Sequence, residues 1–134
     1  MELTKIQLWL SAFPGLKGFE WVFDRMPHKL GMAALIPQGV TEIDRIEDLL
    51  GNRKQTLAFT CQVCFSGTGK AQMLWDLQHW VDSQDAPQLG QGRKSASLRD
   101  GKHLKENKLG LDLYTAQLKV TYERYYEVNE YGED

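Results

Sequence analysis

Gln55-Thr56-Leu57-Ala58-Phe59-Thr60-Cys61-Gln62-Val63-Cys64-Phe65 alternates without a break. Successive side chains of a strand point to opposite sides. Leu57, Phe59, Cys61, Val63 and Phe65 therefore share one face, and Thr56, Ala58, Thr60, Gln62 and Cys64 share the other. One apolar face and one half-polar face describe a strand in an antiparallel sheet with its core on one side.

On the C-terminal side, Ser66-Gly67-Thr68-Gly69 is expected to break the strand. Residues 70–83 then read as a helix. Met73, Leu74, Leu77, Trp80 and Val81 form one stripe at helical spacing. Pro87, Gly90 and Gly92 end it. Residues 94–98 read as a short strand, Asp100-Gly101 as a turn, and residues 102–108 as a polar basic loop or ribbon arm. A long strand lies within residues 111–128, where Leu118, Val120 and Tyr122 alternate with Gln117, Lys119, Thr121 and Glu123. The acidic end, residues 129–134, reads as a flexible tail.

On the N-terminal side, Gly51-Asn52 reads as a hairpin turn. Residues 41–50 also carry Ile43, Ile46 and Leu50 at helical spacing, but the turn favours an extended segment. Met32 to Ile36 reads as a strand closed by Pro37-Gln38-Gly39. Residues 19–23 read as a strand with Phe19, Trp21 and Phe23 on one face. Residues 3–12 read as an amphipathic helix stopped by Pro14-Gly15. Strands that follow one another without intervening helices predict an α+β fold: a mainly antiparallel sheet with two helices packed on one face.

The 134 residues suit a single domain spanning 1–134, and at this length folding buries roughly two thirds of the unfolded chain's surface. Apolar residues make up 42% and charged residues 25%, an ordinary globular balance. The net charge of −2 disfavours sequence-specific nucleic-acid binding, which runs on a basic excess. No run approaches the ~18 apolar residues of a spanning helix. Residues 1–13 lack the apolar stretch of a secretory signal. These features predict a protein made in the cytoplasm, without membrane partners.

Four groupings invite a chemical reading. Ser66-Gly67-Thr68-Gly69-Lys70 lies between strand and helix, where a phosphate-binding loop belongs. That motif needs glycine where Cys64 stands and Ser or Thr where Ala71 stands. Cys61 and Cys64 are three apart in a strand, so they face opposite ways and cannot chelate one metal ion. His28, His79 and His103 are scattered singly, and no Gly-x-Ser-x-Gly elbow is present. Glu42, Asp44, Glu47 and Asp48 read as a solvated face. The sequence therefore predicts no enzyme, no cofactor, no metal and no catalytic residue.

What remains is surface. Between residues 91 and 109, Arg93, Lys94, Arg99, Lys102, Lys105 and Lys108 stand against Asp100 and Glu106. The C-terminus carries Glu123, Glu127, Glu130, Glu133 and Asp134. Such a split suits subunit-to-subunit complementarity or simply solvated faces. Alternation turns Tyr125 and Tyr126 opposite ways, one free to fill the core and the other to meet a partner. The interface candidates are thus Arg93, Lys94, Arg99, Lys102, Lys105, Lys108, Tyr125, Tyr126 and Glu127.

Three stretches carry a family resemblance. They are Arg53-Lys54-Gln55-Thr56-Leu57-Ala58-Phe59; Trp80-Val81-Asp82-Ser83-Gln84 leading to Pro87-Gln88-Leu89-Gly90-Gln91-Gly92-Arg93; and Ala116-Gln117-Leu118-Lys119-Val120-Thr121-Tyr122 ending in Tyr125-Tyr126. In these the chain resembles the tail terminator (minor capsid, tail completion) proteins of long-tailed bacteriophages and prophages. The resemblance implies α+β subunits that can be monomeric in isolation and that form a homo-oligomeric ring, usually a hexamer, on the tail. It implies tail tube protein and head-completion or connector protein as partners. It also implies a life in the host cytoplasm during assembly and in the virion tail afterwards. The alternatives are another tail or connector structural protein, a small adaptor domain, or a nucleotide-binding enzyme using the 66–70 turn.

Overall fold

The computed structural model describes residues 2–67, 70–104 and 111–127. In chain order these form helix α1 (Glu2–Leu10), a 3-10 turn (Pro14–Leu16), β1 (Glu20–Phe23), β2 (Met32–Glu47), β3 (Arg53–Gly67), helix α2 (Ala71–Ser83), β4 (Gln91–Leu104) and β5 (Asp112–Tyr126). The fold is α+β, with one five-stranded mixed sheet in the order β1-β2-β3-β5-β4. β1 runs parallel to β2; β2–β3, β3–β5 and β5–β4 are antiparallel.

Three strands are longer than the sequence predicts. Pro37-Gln38-Gly39 does not close a strand. β2 runs through it with a register shift between Pro37 and Gly39, and again between Glu42 and Asp44. Proline is tolerated where a strand lies at an edge or bulges, and here it does both. Ser66-Gly67 does not break β3, which stays paired to β5 as far as Gly67–Asp112. Asp100-Gly101 is a shift within β4, not a turn. Asp100 takes a positive φ of 58° there, a conformation Asp accepts more readily than most residues. Lys102 is accordingly in a strand; Lys105 and Lys108 lie outside the described residues, as does the 129–134 tail.

The main core collects Leu3, Ile6 and Leu10 from α1, Leu77 and Val81 from α2, and Leu57, Phe59, Cys61, Val63 and Phe65 from β3. Leu118, Val120 and Tyr122 of β5 join them. Each such buried side chain contributes roughly 1.5–3 kcal/mol. Trp80 ties the helices together: its ring lies 5.2 Å from Trp9 and 5.7 Å from Phe13. The Trp9 indole N–H donates to the Asp85 carbonyl at 2.8 Å.

A second, smaller cluster sits on the opposite side of β3, where Cys64 meets Val22, Met32 and Ala34. Phe19 and Trp21 pack against the main core, but Phe23, on the same face of the strand by alternation, does not. Val22 is the buried residue of β1, and Phe23 is exposed. The reason is the parallel pairing. Residues 24–31 must carry the chain back to the start of β2, and that return lies over Val22 and Cys64, with Met26 Sδ 3.7 Å from Cys64 Sγ.

The return is pinned by one hydroxyl. Ser66 is fully buried; its Oγ accepts the Met32 N–H at 3.1 Å and donates to the Lys29 carbonyl. Ser66→Ala would leave the buried Met32 N–H and the Lys29 carbonyl without that partner. It should cost about 1–3 kcal/mol in urea unfolding. An unchanged midpoint would mean that the hydroxyl does not hold the loop.

Candidate functional site

Strand and helix lengths do not match. At ~3.3 Å per residue β2 and β3 each reach about 50 Å, while at 1.5 Å per residue α2 reaches about 20 Å and α1 about 14 Å. The helices cover only part of the sheet, and the β2–β3 hairpin projects beyond them. From Gln38 to Leu50 every residue is exposed. Among them, Val40, Ile43 and Ile46 are each more than half exposed, and Leu49 and Leu50 more so.

The distal end is organised around Glu123, which is buried. Its carboxylate accepts the backbone N–H of Arg93, and Lys54 Nζ stands 3.2 Å from it. The Tyr125 hydroxyl donates to it at 3.4 Å. The Arg93 N–H, and after it Lys54, hold the Glu123 carboxyl below the usual carboxylate range. Gly92 makes this contact possible. It has a φ of 67°, and a Cβ there would run into Tyr125 and Glu123. Tyr125 is also tied to β4 by its N–H, which donates to Gln91 Oε1 at 3.0 Å.

Tyr126 lies on the other side of the sheet, with the Arg53 guanidinium 4.4 Å from its ring centre. A cation over an aromatic face is attracted by the ring quadrupole. Arg53, Arg124 and Tyr126 border a shallow cavity of about 420 Å³ floored by Leu57, Phe59 and Tyr122. Both Tyr125 and Tyr126 are exposed. The expectation that one fills the core is corrected: β5 has already passed beyond the helices, and Tyr122 is the last of its tyrosines inside.

Of the residues singled out from the sequence, Arg93, Lys94, Tyr125, Tyr126 and Glu127 gather at this distal end. Arg99 and Lys102 lie further along β4, with Arg99 3.4 Å from Asp82 of α2. The residues that sequence reasoning missed are Lys54 and Glu123 as an ion pair, Arg53 as the cation over Tyr126, and Val40, Ile43 and Ile46 as an exposed apolar set. The signal for the apolar set was present, since these residues recur at every third position, a spacing that does not suit one face of a strand, beside a cluster of charges.

The chemical groupings take structural roles. Ser66 is inside β3, Thr68 and Gly69 lie outside the described residues, and the Lys70 N–H at the start of α2 donates to the Tyr114 hydroxyl at 2.9 Å. Cys61 belongs to the main core and Cys64 to the smaller cluster, on opposite faces as the alternation predicts. Burial pushes both thiols up to about 12. His79 is exposed and packs against Trp75, ring centres 4.7 Å apart and planes tilted by 59°. Glu42 accepts from Gln55 and Arg45, each at 2.7 Å. Asp48 accepts from Asn52 and from the Leu50 N–H within the hairpin turn. Gln55, then Arg45, hold Glu42 below the usual range, and Asn52 does so for Asp48. Ionised and exposed, this cluster is a solvated face. No helix among the described residues is long and apolar enough to cross a membrane.

Two measurements test these assignments. The folded pKa of Glu123 lies below its ordinary 4.5. The stability it contributes is complete above that value and drains as pH falls through the folded pKa. Glu123→Gln should therefore be less stable than the parent near neutrality and lose less on acidification from about pH 6 to about pH 3. Equal acid slopes would refute the assignment. Iodoacetamide near neutral pH should leave Cys61 and Cys64 unmodified until the chain is unfolded; prompt labelling of the native protein would contradict their burial. No family model matches the chain, and no curated protein matches it significantly.

Proposed function

We propose that this chain is a structural subunit that assembles with copies of itself into a ring at the head-proximal end of a phage tail tube. There it would stop tube growth and present the surface that joins the head. In this reading the architecture is a mainly antiparallel sheet with both helices on one face, leaving its far end and open edges for assembly. The partners are other copies of the chain, the tail tube protein and a head-completion protein. The place of action is the host cytoplasm and then the virion tail. The subunit carries no catalytic machinery and no cofactor.

The observation that carries the reading is the projecting hairpin. Val40, Ile43, Ile46, Leu49 and Leu50 stand in solvent within one short arm. Val40 pairs with Phe59 and Ile46 with Lys54, so the arm presents apolar side chains on both faces, the kind of exposure that marks interaction sites in soluble proteins. The neighbouring tyrosines and arginines, residue types enriched at interfaces, support the same use. The resemblance of residues 53–59, 80–93 and 116–126 to tail terminators supplies the particular assembly.

Electron microscopy tests this directly. Purified protein mixed with tail tubes of the phage or prophage that encodes it should sit at one end of each tube. Ile43→Asp combined with Ile46→Asp, both at exposed positions, should leave the fold intact and abolish capping. Protein spread along the tube, or absent from it, would reject the proposal.

A further inference from the structure

The sheet has two open edges, and they carry opposite charge. Among the described residues β1 covers β2 only from Met32 to Leu35, so β2 is an edge from Ile36 onward. β4 is the opposite edge and pairs only with β5. Along the open part of β2 and into its turn, Glu42, Asp44, Glu47 and Asp48 stand against Arg45. Arg45 is engaged within the same arm, its Nε 2.7 Å from Glu42 and its guanidinium 3.5 Å from Glu47. Along β4, Arg93, Lys94, Arg99 and Lys102 stand against Asp100. Charges and bulges on an edge are ordinary protection against stray pairing. Three exposed apolar residues on the same strand are not, and neither is the matching of sign between two distant edges.

We infer that the acidic β2 edge of one copy docks on the basic β4 edge of the next, extending the sheet from copy to copy. The inference rests on the self-assembly reading above and names the surfaces that assembly uses. Strand direction supports it. β2 and β5 run one way and β3 and β4 the other. Rotating a second copy about an axis roughly along the strands preserves those directions, so its β2 meets the first copy's β4 antiparallel. Two-fold pairing of β2 with β2, or β4 with β4, would instead set like charges side by side, which is unfavourable across strands. The contact is therefore heterologous, the type that closes into rings when the rotation permits.

Two charge-reversal variants test this by sedimentation equilibrium. One is Arg93→Glu with Lys94→Glu on β4, the two cations level with the acidic part of β2; the other is Asp44→Lys with Glu47→Lys on β2. All four substitutions replace exposed or half-buried side chains, and circular dichroism checks the fold. The parent chain should associate with concentration at low salt, and less so as salt is raised. Each variant alone should associate more than about tenfold more weakly. Their equimolar mixture should regain association, because each then offers the edge that the other lacks. Association unchanged by either variant, no gain on mixing, or no association of the parent at any concentration would each overturn the inference. Tail capping separates this from the role itself. Reversal variants that still cap tubes reject the edges and keep the role, while a parent that pairs by these edges yet never caps tubes keeps the edges and rejects the role.

Discussion

β3 is hydrogen-bonded to β2 on one side and to β5 on the other along nearly its whole length. A strand held on both sides cannot slip or rotate, because a shift of one residue would turn every side chain to the wrong face. Its alternation therefore settles which residues are inside. Leu57, Phe59, Cys61, Val63 and Phe65 receive the helices, and Thr56, Thr60 and Gln62 look out from the sheet. The same constraint sends Cys61 and Cys64 into separate clusters, which removes them from any shared chemistry.

The ends of β3 then divide the molecule. Its C-terminal half lies under α1 and α2, and there the sheet is sandwiched: Ser66 holds the 24–31 return on one side while Phe65 stacks on Tyr114 on the other, ring centres 5.3 Å apart. Its N-terminal half extends past the helices, and there burial falls to a few contacts around Glu123, Lys54 and Arg53. Stability is concentrated at one end and accessible surface at the other.

Local pattern made much of this legible. The stripe Met73, Leu74, Leu77, Trp80 and Val81 announced α2, and Gly51-Asn52 announced the hairpin, since each depends on neighbours in sequence. The misreadings have a common cause. Pro37-Gln38-Gly39, Ser66-Gly67 and Asp100-Gly101 are all turn-like by composition, yet all lie within strands. Pairing with a neighbour already in place stabilises extended backbone through a local weakness, and a bulge absorbs the residue that does not fit. The parallel pairing of β1 was equally hidden, because its short return depends on a buried serine more than thirty residues away.

The faces of β3, the helical stripes, the hairpin at Gly51-Asn52 and the absence of a recognisable phosphate-binding or zinc motif can all be read from the residues in order. Each of these follows from residue type and spacing alone. The packed fold is needed to see how far the sheet outruns its helices, that Ser66 is a structural clamp, and that Glu123 gathers Arg93, Lys54 and Tyr125. It also placed the acidic and basic segments on opposite edges of one sheet. Those outcomes depend on strand order and register, which bring together residues that no local period connects.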